Sequence, residues 1–296
     1  MISMTAPIVV FGAIVSLALA LANPLAAVAQ ADDSWRPQRG QTGKDVMWLP
    51  TPDELAHRLL ELARVGPNDL VYDLGAGDGK IAIAAAQRHG ARAVGIEYNA
   101  RLAAFAQREA ERAGVADRVR IIQADLFQTD FSSATVLTLY LLDELNQQLR
   151  PRVLGMKPGT RVVSNSFAMG DWEPDQVIRV GSQVGYYWLV PANVAGDWQL
   201  EGLPETSGPA RLSLVQRYQR LAGTITLNGR TFPLLSPTLE GERLLLRYVD
   251  TSDLLKAVRL TVQADRLAGE MVPPYGMVES IVERIAVHGQ RTGGGR

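Results

Sequence analysis

The feature that most constrains this chain is a short apolar run, Leu70-Val71-Tyr72-Asp73-Leu74, entering Gly75-Ala76-Gly77-Asp78-Gly79 and leaving through an alanine-rich stretch from Lys80 to Arg88. This reads as a strand, a glycine loop and a helix. Glycines allow a tight turn and a close approach of ligand to backbone. The helix start behind them offers free amide hydrogens and the positive end of its dipole. Open α/β sheets place their nucleotide sites at such a point, outside the carboxyl ends of the strands.

The pattern around the loop agrees. Glu54 to Val65 reads as a helix, capped by Thr51 or Asp53 and ended by Gly66-Pro67. Further strands are expected at Ala93–Ile96, Val119–Ile122, Ala134–Tyr140 and Thr160–Ser164, with helices over Ala100–Ala113 and Glu144–Leu154 between them. This alternation argues for a mostly parallel sheet with helices on both faces. Val177–Val180 and Tyr186–Val190 read as a closing antiparallel pair. The cluster Tyr186-Tyr187-Trp188 reads as an interdomain packing stripe.

From Trp198 the helical period fades. Arg211–Tyr218, Gly223–Leu227, Arg243–Val249, Val258–Val262 and Ser280–Val287 are candidate strands; Asn228-Gly229 is a hairpin signal, and Gly241 and Gly269 read as further turns. The expected organisation is a targeting segment (1–31), a linker (32–46), an α/β domain (47–192), an antiparallel all-β module (193–290) and a flexible glycine-rich tail (291–296).

Composition narrows the chemistry. The chain of 296 residues carries a net charge of -1 without a basic tail, so a nucleic-acid partner is not expected. It has no cysteine, which excludes disulfides, thiolate nucleophiles and zinc-thiolate sites. Its three histidines, His57, His89 and His288, lack ligand spacing, so no metal centre is expected. Ile8 to Ala22 is apolar and uncharged, followed by Asn23-Pro24 and small residues that suit signal peptidase at Ala27-Val28-Ala29 or Ala29-Gln30-Ala31. The expectation is a periplasmic or otherwise exported protein; the alternative is an uncleaved helix that anchors the chain to the membrane.

A dinucleotide site spaces its glycines as G-x-G-x-x-G. Here the loop reads Gly75-Ala76-Gly77-Asp78-Gly79 behind the acidic Asp73. That pattern resembles motif I of class I S-adenosylmethionine-dependent methyltransferases and implies a Rossmann-like fold. The resemblance implies that Asp73 helps to hold the methionine amino group, with Gly75, Gly77 and Gly79 shaping the loop. The cofactor has an amino group, a sulfonium and a carboxylate but no phosphate, so acidic side chains near the loop are tolerable. Glu97 ends the second strand about twenty residues on, where a carboxylate can accept from both ribose hydroxyls. The resemblance also places an acidic acceptor for the adenine amino group after the third strand, at Asp125, beside Leu126. Taken singly, Glu97 or Asp125 also suits a helix cap.

Pro50-Thr51-Pro52, the glycine loop, Leu139-Tyr140-Leu141-Leu142 and Pro158-Gly159-Thr160-Arg161-Val162-Val163-Ser164 are similar to a bacterial branch of the lysine methyltransferases that modify the ATP synthase c-subunit and the adenine nucleotide translocase. The similarity covers Met47 to Pro174. It implies that Thr51 approaches the methionine end of the cofactor; as residues alone, a plain helix cap serves equally. Tyr140 stands where class I enzymes carry their catalytic motif, and as a residue alone it reads equally as a packed aromatic. Asn165, ending the fifth strand, reads as a turn cap, with a hydrogen bond to the acceptor as the alternative. The implied activity is methyl transfer to a nitrogen such as a protein lysine, with the acceptor itself not specified. The alternatives are a small-molecule acceptor, or an exported protein that binds S-adenosylmethionine without turnover.

Overall fold

The computed structural model describes Met1, residues 34–274 and residues 284–294. The expected signal or anchor segment lies outside them, as do the first half of the Ser280–Val287 stretch and the last two residues of the tail.

The first half is an open sheet between helices. Strands β1 (Leu70–Leu74), β2 (Arg92–Glu97), β3 (Val119–Gln123), β4 (Val136–Leu139) and β5 (Arg161–Asn165) alternate with α2 (Lys80–His89), α3 (Ala100–Arg112) and α4 (Asp143–Leu154); α1 (Asp53–Leu62) precedes them. With β6 (Gln176–Val180) and β7 (Gln183–Leu189) the order is β3-β2-β1-β4-β5-β7-β6. β1 to β5 run parallel and β7 returns antiparallel to β5. All four residues of β4 are buried, as a central strand covered on both faces requires. The register puts Asp73 opposite Gly95 on one side and Thr138 on the other. The strand ends bearing the expected ligands therefore open side by side.

The second half closes on itself. Strands β8 (Gly196–Glu201), β9 (Ala210–Arg217), β10 (Arg220–Leu227), β11 (Arg230–Pro233), β12 (Thr238–Glu240), β13 (Arg243–Val249), β14 (Leu255–Gln263), β15 (Arg266–Val272) and β16 (Ala286–Gly293) pair antiparallel. Because β9 also pairs with β10, the ring β8-β9-β10-β12-β13-β14-β15-β16 is closed, with β11 alongside β10. Closure removes the exposed sheet edges. Inward residues such as Trp198, Leu212, Leu246, Tyr248 and Leu260 fill the interior.

Several expectations change. The barrel holds four strands that the sequence reading passed over, β8, β11, β12 and β15. Asn228 and Gly229, with φ of 48° and 82°, do form the β10–β11 turn. Gly269, by contrast, is no turn: it lies inside β15 between Leu260 and Val287, where a Cβ would sit 1.9 Å from the Arg259 carbonyl oxygen. The turn is made instead at Ala264 (φ 53°) and Asp265. The tail expected over 291–296 begins as strand: Arg291 to Gly293 complete β16, and the Arg291 guanidinium lies 4.1 Å from the centre of the Trp198 ring. α1 starts at Asp53 and stops at Leu62, and its N-cap is Pro52, which offers no side-chain cap. Neither Thr51 nor Asp53 caps it.

Candidate functional site

A cleft opens above β1, β2 and β4, at their carboxyl ends. Thr51, Asp73, Gly75 and Gly77 line it, together with Glu97, Asp125, Leu126 and Tyr140. The chain thus brings eight of the nine expected residues around one space. Gly79 stands behind it as the N-cap of α2, with φ 79° and Ala106 packed 3.0 Å from where a Cβ would lie.

Asp73 sits at the floor, 3% exposed. Its Oδ1 accepts a 2.6 Å hydrogen bond from the Thr138 hydroxyl on β4. Burial, reinforced by the like charges of Asp78 and Glu97, pushes its carboxyl up to about 7 despite that bond. No cation among the described residues offsets it. Asp78 and Glu97 are also raised, each mainly by burial. Glu97 binds the loop to β2: its Oε2 accepts from the Gly77 amide at 2.9 Å and its Oε1 from the Asn99 amide at 2.8 Å. The cap of α3 is Asn99, whose side chain accepts from Arg101 and Leu102. A carboxylate offers about four acceptor positions, so Glu97 keeps capacity for a ligand.

The opposite wall was not expected. The stretch read as linker folds into a small hairpin: Thr42 bridges Met47, the Gly40 amide donates to the Trp48 carbonyl and the Trp48 amide to the Gln41 carbonyl, both at 2.9 Å. Gln41 to Leu49 line the cleft. The Trp48 indole lies on the glycine loop, its Nε1 2.6 Å from where a Gly77 Cβ would stand, so this position excludes any side chain. Lys44 reaches across: its Nζ donates to Asp125 Oδ2 at 2.8 Å and lies 5.2 Å from the centre of the Tyr98 ring. Lys44 and the Phe127 amide hold the Asp125 carboxyl below the usual range. Asp125 is therefore already engaged by a cation from the hairpin. Lys44, Trp48, Tyr98, Lys80 and Thr138 are the site residues that sequence reasoning missed. The adjacent glycine loop was a signal for Lys80 alone.

Lys80, at the start of α2, donates to the Thr51 carbonyl at 3.0 Å and pairs with Asp53 at 2.7 Å. Thr51 is buried; its hydroxyl accepts from Asn165 Nδ2 at 3.3 Å. Asn165, fully buried, holds Thr51 and accepts from Ser166 Oγ at 2.7 Å, a role beyond capping a turn. Tyr140 lies just past β4, half-buried, with its ring stacked on Phe167 at 6.1 Å. Phe167 belongs to the loop after β5. The loop is held by α4: Asn146 Nδ2 donates to the Phe167 and Ala168 carbonyls, both at 3.2 Å, and Asp143 accepts from the Ala168 amide at 2.8 Å. Among the described residues no group of three or more His, Cys, Asp or Glu gathers as a metal would need.

This arrangement fits S-adenosylmethionine on its own chemistry. A buried carboxylate lacking a cation suits the ammonium of the methionine end. Glu97 stands at the second strand end, and Asp125 and Leu126 follow the third, all lining the same cleft. Phosphate would meet three raised, like-charged acids and is disfavoured.

Comparisons with known proteins agree. The model of the ANTKMT methyltransferase domain matches residues 73–176. A protein-lysine N-methyltransferase of Saccharolobus islandicus is 43% identical over 137 residues, covering 46% of this chain and 85% of that protein. The Xenopus laevis lysine N-methyltransferase of the ATP synthase c-subunit is 29% identical over 135 residues, 45% of this chain and 59% of its own length. The adenine nucleotide translocase lysine N-methyltransferase of Mus musculus is 34% identical over 125 residues, 42% of this chain and 54% of its own length. The chain thus spans little more than half of these animal relatives. A solved RNA methyltransferase from Salinibacter ruber, in complex with S-adenosyl-L-homocysteine, is 49% identical, with 49% of this chain and 96% of that chain covered and a TM-score of 0.49. The barrel lies beyond the family match. On its Rossmann-like sheet, its strand-end acids and its lysine-methylating relatives, the chain belongs to the S-adenosylmethionine-dependent protein-lysine methyltransferases.

Proposed function

We propose that this enzyme methylates the side-chain amine of a lysine in a protein reached outside the cytoplasm or at a membrane surface. The observation that carries the acceptor class is the 43% identity to a protein-lysine N-methyltransferase across 85% of that protein's length. The apolar run Ile8 to Ala22 supports the location.

S-adenosylmethionine supplies an already activated methyl group on a sulfonium. The protein is then left with orientation and exclusion of water. Asp73 would hold the methionine ammonium, Glu97 the ribose and Asp125 the adenine edge. Tyr140 and Phe167 form an aromatic wall beside Thr51 and Asn165, on the side where β4 and β5 end. An amine must arrive uncharged to attack carbon, and a half-buried aromatic wall disfavours its protonated form by desolvation. Tyr140 positions that amine through its hydroxyl or ring face.

The test is transfer of labelled methyl from S-adenosylmethionine into a membrane extract, followed by digestion and identification of the modified residue. Label on lysine, reduced about tenfold or more by Tyr140→Phe, is the expected result. Label in RNA or in a small molecule overturns the acceptor class. Binding of the cofactor without any transfer would favour the non-catalytic alternative. The mass of the mature chain, with its cell fraction, tests the location: an intact chain in the cytoplasm removes that part of the proposal.

A further inference from the structure

The methyltransferase half and the barrel meet at a two-residue turn between β9 and β10, made by Tyr218 and Gln219. Such turns favour glycine, asparagine or aspartate where φ is positive. Here a tyrosine occupies the left-handed region, with φ 54°. A bulky residue held there is a local cost that the surroundings must impose. The surroundings are the other half of the molecule. The Tyr218 ring stacks on Trp172 at 6.0 Å and lies 5.6 Å from the Arg150 guanidinium. Its hydroxyl donates to Asp171 Oδ1 at 3.0 Å, and Arg217 donates to Asp171 Oδ2 at 2.7 Å. Gln219 accepts from the Trp172 indole at 3.0 Å and donates to the Glu173 carbonyl at 2.8 Å.

Apart from the contact with Arg150, these fall on the segment that continues from the loop after β5. Arg150, on α4, links them to it: one guanidinium nitrogen donates both to Asp171 and, at 2.8 Å, to the Met169 carbonyl. Two residues before Met169, Phe167 stacks on Tyr140 in the cleft. A continuous set of contacts therefore runs from the barrel turn to the aromatic wall, and it bypasses Asp73, Glu97 and Asp125.

The geometry points to Tyr218 as a positioning residue for the methyl-transfer step: the barrel braces the loop 166–171 so that Phe167 and Tyr140 hold the acceptor, while cofactor binding is independent of it. This rests on the proposed acceptor side of the cleft. The barrel is then a working part of the active site.

Tyr218→Gly in the full chain is the decisive variant, because glycine accepts the turn's φ without strain and the barrel can still close. Three measurements follow: hydrogen exchange of the amides of Ser166 to Met169, S-adenosylmethionine affinity by calorimetry, and labelled methyl transfer into a membrane extract. Exchange in the loop is expected to rise roughly tenfold with the barrel amides unchanged. Cofactor affinity and its KM should stay within about twofold while Vmax falls about tenfold, the size of effect that remote coupling produces. Tyr218→Phe keeps the ring contacts and should restore most of both losses. Asp171→Asn, which loosens the same junction from the other side, should reproduce the glycine variant and serves if that variant misfolds. Unchanged exchange, or faster exchange with Vmax intact, overturns the brace. Loss of cofactor affinity in step with Vmax also overturns it. If the wild type binds no S-adenosylmethionine, the functional reading fails instead, and the exchange experiment still judges the brace.

Discussion

The floor of the cleft and the barrel treat acidic side chains in opposite ways. On the cleft floor, Asp73, Asp78 and Glu97 are each driven up by burial, and Asp73 also by the charges of the other two. On the barrel, Asp197 is held low by hydrogen bonds from Ser213 and Arg211. Buried Asp250 is also held low, despite the upward push of burial, by the amides of Leu254 and Ser252 and by Lys256 on β14. Asp197 and Asp250 have hydrogen-bond donors and a cation on the barrel itself, whereas Asp73 is held by the Thr138 hydroxyl without a cation. The difference makes the cleft floor the better place for a cationic ligand. It also separates stability from function: the barrel interior is apolar filling, whereas the cleft floor keeps a carboxylate at an energetic cost to the empty protein.

The sharpest break between the halves is Leu246→Ala. Leu246 is fully buried in the barrel. Its truncation should cost roughly 3 kcal/mol of barrel stability, as core leucines do, seen as earlier loss of barrel protection in denaturant. S-adenosylmethionine affinity should not move; an accompanying loss would show that the barrel shapes the cofactor cleft itself.

Asp73→Asn should do the reverse. Cofactor affinity should fall about a hundredfold, roughly 2.7 kcal/mol by calorimetry. The empty protein should become more stable at pH 8, because the amide keeps the acceptor for Thr138 without a buried charge. The sign follows from linkage. The folded carboxyl titrates near 7 against an ordinary value of 3.8, so between those values the folded state keeps a proton that the unfolded chain releases. Stability of the empty wild type therefore falls as pH rises through that window, and the variant should lose this slope. A destabilised Asp73→Asn at pH 8 would contradict the account.

The same group predicts a pH dependence of binding. The ligand ammonium requires the ionised Asp73, which titrates near 7 in the empty site. Affinity should climb about tenfold from pH 6 to pH 8 and then level off. A flat profile would mean that another group balances the ammonium. The smallest effect is expected at Lys44. Its pair with Asp125 leaves the lysine side chain 37% exposed, and solvent screens such pairs until they contribute little. Lys44→Ala should change cofactor affinity by less than about fivefold while raising hydrogen exchange across residues 40–48. A larger loss would make the hairpin a full part of the cofactor site.

How much of this was legible in the sequence depends on the distance over which each feature is encoded. The parallel sheet, the glycine loop and the strand-end residues Asp73, Glu97 and Asp125 follow from short periodic runs and from chain order. A parallel sheet presents successive strand ends on one edge, so reading the strands places these three acids around one cleft. The hairpin over residues 40–48 left no such trace. It lacks a long alternating run, and what holds it to the sheet is a bond from Lys44 to Asp125, 81 residues apart. The same holds for Thr138 beneath Asp73, 65 residues apart, and for Tyr218 on Asp171, 47 apart. In the barrel, alternation announced strands but not closure, because closure depends on the register of β9 against β10 and of β16 against β8. Gly269 shows the limit: glycine marks a turn or a close backbone approach equally well, and only the neighbouring strand decides which.

The sequence by itself thus determined the α/β half, since its strand-end acids sit where local strand periods end. Tertiary structure alone decided what covers the cofactor cleft, what charge Asp73 carries there, and that a barrel turn holds the loop beside Tyr140. Those are contacts between segments far apart in the chain, and burial, which sets the charge, is a property of the packed whole.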